Sequence, residues 1–282
     1  MRINQLFQKA FVGGQWYVAY REKGKDSSYN VIKTPEDMWI ADPTMFESNG
    51  EHYLFVEVYE KKKKKAAIGY YQFENGTPKY KGLIIERPYH MSYPCVFSYE
   101  NDFYMIPESS ANNSVTLYKA IKFPSKWEKV KDLIVGDKYV DTTIVKHEGK
   151  ILLLSYKANA KKWQLMVFNL DMKNNKLKKI NTIIYEKNIG RPAGYVIKDK
   201  RPAQNCSNKY GENILVYEIE SYIPYKEYIV DSIRVEDIKV DGNYDRVHTY
   251  TADTSYEVID LYKEKIDLLH GIRIFKRAYL KK

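Results

Sequence analysis

Apolar residues recur along the chain in short runs with the two-residue alternation of half-buried strands, and no long helical periodicity interrupts them. Phe55, Val56, Val58 and Tyr59 belong to one such run, and Ile151 to Leu154 is a continuous apolar stretch of buried-strand length. Turn signals separate the runs: Ser48-Asn49-Gly50, Glu74-Asn75-Gly76, Glu100-Asn101-Asp102, His147-Glu148-Gly149 and Asp241-Gly242-Asn243. Asn-Gly and similar pairs accept the positive φ that tight hairpins require.

The hairpins align with one another. The first reads Asp42-Pro43-Thr44-Met45-Phe46 and returns through Tyr53 to Glu57. The second reads Tyr93-Pro94-Cys95-Val96-Phe97 and returns through Tyr104 to Glu108. The third reads Asp141-Thr142-Thr143-Ile144-Val145 and returns through Ile151 to Ser155. The fourth reads Arg191-Pro192-Ala193-Gly194-Tyr195 and returns through Arg201 to Gln204. A weaker fifth copy starts near His248-Thr249-Tyr250 and returns through Tyr256 to Asp260. The spacing is roughly 50 residues, the kind of period that marks propeller blades. The expectation is an all-β, five-bladed β-propeller. It forms one domain over residues 1–282, with blades starting near 42, 93, 141, 191 and 248. Trp16 to Tyr20 lies before the first unit and can give the last blade a strand that closes the ring. A β-sandwich would also use many short strands, but would not demand a period.

The first strand of each propeller blade lines the central channel, so equivalent positions converge there. Asp42, Tyr93, Asp141 and Arg191 are one such set, and the returning strands add Glu57, Glu108 and Gln204. Carboxylates and an arginine near an axis are costly unless paired or used. A purely structural ion cluster is the alternative. Three carboxylates around one hole suit glycosyl chemistry, which needs an acid for the leaving group and a carboxylate on the other side of the sugar. Trp39 is either a stacking wall beside Asp42 or a core residue. His90 is either a hydrogen-bonding group for a hydroxyl or phosphate or a structural histidine.

Composition adjusts this picture in three ways. Tyr outnumbers Phe by 27 to 10, which suits half-buried strands and also ring-stacking sugar sites. The net charge of +10 favours anionic partners. Its one dense run, Lys61 to Lys65, reads as a solvated hairpin tip, with a polybasic membrane contact as the sharper alternative. No nucleic-acid motif is present. Cys95 and Cys206 form neither a disulfide framework nor a metal spacing, and five scattered histidines argue against a transition metal. Neither a secretory signal nor a run of about 20 apolar residues occurs. The expected setting is cytoplasmic, with the inner membrane face as one station.

Six ordered strings carry a resemblance. They are Trp39 to Pro43, His90 to Pro94, Tyr104 to Ser109, Val140 to Thr143, Arg191 to Gly194, and Arg201 to Cys206, followed by His248-Thr249-Tyr250 and Tyr256 to Asp260. Together they resemble the N-terminal domain of plant glucosamine inositolphosphorylceramide transferases and its free-standing bacterial relatives. More distantly, Trp39 to Pro43 is similar to the first-blade motif of the arabinanase, levansucrase and invertase superfamily. That likeness implies Asp42 as nucleophile or general base, Asp141 as transition-state stabiliser and Glu108 as acid. The remaining binding positions are Trp39, Glu57, His90, Tyr93, Arg191, Arg201, Gln204 and His248.

The fourth unit departs from the glycosidase pattern by offering Arg191, Arg201 and Gln204 where such enzymes draw their acid. Guanidinium groups suit a phosphate. The expected activity is therefore glycosyl transfer from a sugar nucleotide or sugar phosphate to a glycan or glycolipid. A furanosidase-type hydrolase and a non-catalytic glycan-binding propeller are the alternatives. No cofactor is required, and the channel leaves room for a Ca²⁺ of the kind some propeller glycosidases carry.

Overall fold

The computed structural model describes residues 12–266. It contains twenty strands in five four-stranded antiparallel sheets. The first two strands are β1 (Val12–Glu22) and β2 (Asn30–Val31). Blade 1 is β3 (Met38–Ser48), β4 (Glu51–Glu60), β5 (Lys65–Glu74) and β6 (Thr77–Ile85). Blade 2 is β7 (Ser92–Tyr99), β8 (Asp102–Ser109), β9 (Ser114–Lys122) and β10 (Lys126–Val135). Blade 3 is β11 (Tyr139–His147), β12 (Lys150–Lys157), β13 (Trp163–Asp171) and β14 (Lys176–Tyr185). Blade 4 is β15 (Ile189–Pro192), β16 (Lys200–Asn205), β17 (Asn213–Tyr222) and β18 (Tyr225–Ile233). Blade 5 takes β19 (Arg246–Ala252) and β20 (Tyr256–Ile266) from the end of the chain and completes its sheet with β1 and β2.

The five-bladed propeller expected from the repeat is therefore the fold. The closing strand is also where the sequence placed it: Trp16 pairs with Tyr262 and Tyr20 with Val258. Closure of this kind leaves the ring without a seam between its first and last blades. The Lys61–Lys64 run occupies the turn between β4 and β5, as the hairpin reading required.

Each blade buries its apolar faces against its neighbours, and each of the five core clusters straddles one interface. Val18 and Val258 of blade 5 meet Val56 and Tyr71 of blade 1. Phe55 and Ile68 meet Val96 and Tyr118 between blades 1 and 2. Phe97 and Leu117 meet Leu153 and Phe168 between blades 2 and 3. Leu152 and Val167 meet Ile219 and Tyr225 between blades 3 and 4. Ile214 meets Val247 and Ile259 between blades 4 and 5. Full burial of one such side chain contributes about 1.5–3 kcal/mol, so the interfaces carry the ring.

Every inner strand has a single-residue bulge at the same level. The register slips between Ala41 and Thr44, Ser92 and Cys95, Val140 and Thr143, Ile189 and Arg191, and Val247 and Tyr250. In four blades the bulge carries a residue of positive φ: Asp42 (48°), Tyr93 (43°), Asp141 (50°) and Gly190 (85°). This corrects the fourth unit of the sequence alignment by one residue. Gly190, not Arg191, is the counterpart of Asp42 and Asp141. A Cβ at Gly190 would lie 2.2 Å from the Tyr185 ring, so that bulge accepts no side chain and Arg191 projects from the next position.

Arg201 is a second correction. The sequence expectation turns it to the channel; instead it is fully buried and turned toward the outer strands of blade 4. Its Nε and Nη2 donate to the two carboxylate oxygens of Glu227 on β18 at 2.7 and 2.6 Å, and its Nη1 donates to the Gly190 carbonyl at 3.1 Å. Tyr185 and Tyr225 donate to the same carboxylate. Although burial pushes the Glu227 carboxyl upward, Arg201 and the two hydroxyls bring it below its ordinary value. This pair ties four strands together and spends four of the five guanidinium N–H groups inside the blade. Arg201→Met should lower stability in urea by about 3–5 kcal/mol, because it strands a buried carboxylate. Arg201→Met combined with Glu227→Leu should recover most of that loss; equal losses in the single and double variants would refute the assignment.

Candidate active site

The bulges point side chains into the channel, as bulges near active sites commonly do. A non-glycine residue held at positive φ costs of order 1–3 kcal/mol, so the positions of Asp42 and Asp141 are enforced by their surroundings. Asp42 on blade 1 is buried, and its backbone N–H donates to Asp260 Oδ2 of blade 5 at 3.0 Å. Its Oδ1 lies 3.3 Å from both His248 Nε2 and the donating Thr249 hydroxyl. His248 Nδ1 sits 2.7 Å from Asp260 Oδ1, and the Thr249 N–H donates to that same oxygen at 2.8 Å. The imidazole stacks on Trp16, ring centroids 3.8 Å apart. Asp260, His248 and Asp42 thus form a buried relay in which the imidazole bridges two carboxylates.

Asp141 on blade 3 is fully buried. Its Oδ2 accepts from Arg191 Nε and from Gln204 Nε2, the latter at 2.8 Å. Its Oδ1 is buried and makes no hydrogen bond among the described residues. Glu108 on blade 2 takes the Ser110 hydroxyl on Oε1 at 2.7 Å. Its Oε2 accepts from the Asp141 N–H at 3.3 Å and from Arg191 Nη2 at 3.4 Å. Glu57 occupies the position on β4 that Glu108 holds on β8, opposite Ala41 and Ser92 respectively, and lies 3.2 Å from His90 Nε2. All five blades therefore contribute a polar group.

The electrostatics reflect this convergence. Burial pushes the Asp42 carboxyl well above the usual range, and the charges of Glu57, Asp141 and Asp260 add to it while Arg191 opposes. Burial and the Asp141 charge hold Glu108 up at about 8, again against Arg191. A carboxyl held that high keeps its proton at neutral pH. His90 is raised by its hydrogen bond to Glu57, which outweighs burial.

The site residues expected from sequence do not all do the same job. Asp42, Glu57, Glu108, Asp141, Arg191 and His248 come together, with His90 beside Glu57. Gln204 is buried and holds Asp141 in place. Tyr93 is a correction: it is buried, and its hydroxyl accepts from the Gly194 N–H at 2.7 Å and lies 2.7 Å from the Thr143 hydroxyl. It bolts blades 2, 3 and 4 together without presenting an atom to a ligand. Trp39 is half-buried and stacks on Tyr59, centroids 4.5 Å apart, at the end of blade 1 that carries His90. Sequence reasoning misses Asp260 and Tyr210. Asp260 has a signal, a lone carboxylate closing the apolar run Val258-Ile259; Tyr210 has none, since it lies in the loop after β16.

Asp42, His248 and Asp260 bring one ligating atom each within 4.8 Å of one another. Calcium takes six to eight oxygen ligands. Here both Asp260 oxygens and Asp42 Oδ1 already serve internal donors, so the donor set fits a hydrogen-bonded relay and not a calcium cage. A larger cavity of about 480 Å³ opens at the other end of the inner strands, lined by Phe46, Phe97, Val145 and Ala252, but it lacks such a carboxylate set.

A family model described as glucosamine inositolphosphorylceramide transferase 1, N-terminal, matches residues 27–254. The chain belongs to this family. Similar curated members include glucosamine inositolphosphorylceramide transferase 1 of Oryza sativa subsp. japonica, 29% identical over 222 residues. That match covers 73% of this chain and 29% of the rice protein. The Arabidopsis thaliana protein of the same name is 30% identical over 196 residues, covering 64% of this chain and 26% of its own length. The chain thus spans under a third of these plant relatives. Among solved structures, Zg3597, a family 117 glycoside hydrolase from Zobellia galactanivorans, superposes with a TM-score of 0.57 at 13% identity over 92% of both chains. An exo-1,5-alpha-L-arabinanase from a bovine ruminal metagenomic library gives 0.52 at 15% identity, over 80% of this chain and 94% of its own. These two likenesses establish the shared fold.

The raised Glu108 carboxyl has a stability signature. Its ordinary value is 4.5. Between that pH and about 8 the unfolded chain has released the proton and the folded chain has kept it. Stability therefore falls as pH rises across this window, by about 1.4 kcal/mol per pH unit, and levels off above it. Glu108→Gln lacks this titration. Its melting temperature relative to the unsubstituted protein should climb from pH 5 to pH 8, and a gap that stays constant would contradict the assignment.

Proposed function

We propose that this propeller is a glycosyltransferase-like enzyme of glycan assembly, moving a sugar from a phosphate-activated donor to a glycan or glycolipid acceptor. The observation that carries a sugar at the axis is Asp141. One of its carboxylate oxygens is buried without a partner among the described residues, at a penalty of about 1–3 kcal/mol that a sugar hydroxyl would relieve. Family membership supports transfer, because the curated relatives are named transferases, and their name makes an inositolphosphorylceramide acceptor a concrete candidate.

In this reading the bond from the sugar's anomeric carbon to the donor phosphate oxygen breaks, and its electron pair leaves with the phosphate. Arg191 meets that charge. The acceptor hydroxyl attacks the anomeric carbon and gives its proton to Asp42, whose raised affinity suits a base. Asp141 stabilises the electron-poor sugar, and Glu108 supplies a proton where the leaving group needs one. Trp39 with Tyr59 offers a flat wall for a ring. The +10 charge fits work at the cytoplasmic face of an anionic membrane, where a glycolipid would be met.

A furanosidase-type hydrolase is the second reading, favoured by the protonated Glu108. Water then replaces the acceptor and Glu108 protonates the glycosidic oxygen. Incubation with a panel of sugar nucleotides and a glycolipid acceptor separates the two. Transfer should yield an elongated acceptor, and Asp42→Asn should reduce it by roughly 10²–10⁴-fold. Free sugar released from a furanoside and lost in Asp42→Asn would favour hydrolysis. Ligand binding that survives Asp42→Asn, with no turnover in either assay, would make the propeller a glycan-binding module.

A further inference from the structure

Arg191 also lines a cleft between blades 3 and 4, with a volume of about 230 Å³. Its walls combine aromatic rings and cations. Trp163, at the start of β13, and Tyr210 are each 43% exposed and lie together on the wall of this one cleft. Tyr156 and Asn188 form the floor, joined by a 3.0 Å hydrogen bond. Lys157, Lys162 and Arg191 supply the cations, and among the described residues no carboxylate lines the cleft.

The charges cancel only in part. Lys157 is paired with Asp137 at 2.6 Å, and Arg191 uses Nε and Nη2 on Asp141 and Glu108. Arg191 Nη1 makes no hydrogen bond among the described residues, and its guanidinium lies 5.5 Å above the Tyr210 ring. Lys162 is exposed and makes no ion pair among the described residues. Among the described residues the cleft thus offers one guanidinium nitrogen and one ammonium without a partner, flanked by two exposed rings.

Size narrows the occupant further. Pockets for whole drug-sized ligands run to about 300–1,000 Å³. This cleft suits one ring and its attached phosphate, with the rest of the ligand lying along the axis or in solvent. We infer that the cleft between blades 3 and 4 is a subsite for a phosphate-linked ring, with the phosphate on Arg191 Nη1 and Lys162 and the ring on Trp163. This rests on the reading of the axis as a sugar-handling site. Two sources share that chemistry: the nucleoside diphosphate of a donor and the inositol phosphate headgroup of an acceptor lipid.

Titration of the full chain with uridine diphosphate and with glycerophosphoinositol, followed by tryptophan fluorescence and calorimetry, tests the subsite. Free glucose and inorganic phosphate serve as controls. One of the two phosphate-linked ring compounds should bind, more tightly than either control and more weakly at high salt. Its identity tells donor from acceptor. Lys162→Glu and Trp163→Ala alter exposed side chains, so both should melt like the unsubstituted protein yet weaken that binding at least tenfold. Absence of binding by either compound, or binding unchanged in both variants, overturns the subsite. The axial reading fails separately. Turnover that is lost in Asp42→Asn but shows an unaltered KM in Lys162→Glu and Trp163→Ala would refute the cleft alone. Cleft binding without any sugar turnover would refute the enzyme alone.

Discussion

One backbone irregularity organises this molecule. Each inner strand yields one ladder position to a bulge at a common level of the ring. A regular strand alternates its side chains between two faces, both of which are committed to blade packing here. The bulge breaks that alternation once per blade and frees a side chain for the axis. Two of the freed positions carry aspartates at positive φ, which Asp tolerates better than a bulky residue does. Tyr93 also adopts that conformation, and its hydroxyl is held from two other blades.

The polar centre is a network in which no charge stands alone. Arg191 spans Asp141 and Glu108, while His248 spans Asp42 and Asp260. The two halves are unequal. The histidine half is sealed by Trp16 and by backbone donors. In the arginine half, Asp141 Oδ1 and Arg191 Nη1 have no hydrogen-bond partner among the described residues, and Arg191 lines the cleft. Burial then does chemical work: it holds Glu108 protonated near neutral pH and raises the proton affinity of Asp42. A stability-only cluster would gain from complete pairing, because an unmatched buried oxygen is a direct loss. The open half is where a ligand would complete the set.

Arg201 shows how a correct motif can carry a wrong role. Two arginines ten residues apart in one blade look alike in the chain. One lies beside a bulge at the axis, and the other lies within a regular stretch of β16, whose alternation sends it outward. There it meets Glu227, twenty-six residues away on β18. Nothing in the local sequence announces that partner, because the pairing depends on how β17 and β18 fold back.

The roughly fifty-residue period and the strand-and-turn rhythm were legible in the chain, since hydrophobic alternation and hairpin chemistry are local properties that each blade repeats. They determined the five blades, the closing strand near Trp16 and the convergence of Asp42, Glu108 and Asp141. Tertiary structure alone decided the rest. At Gly190 the Tyr185 ring occupies the space a Cβ would need, and the Asp260–His248–Asp42 relay comes from the docking of blade 5 against blade 1. The division between Arg191 at the axis and Arg201 in the blade follows from which face each strand turns inward. Each of these is set by contacts between residues far apart in the chain, and a repeat encodes the positions that meet without encoding which partner each will find.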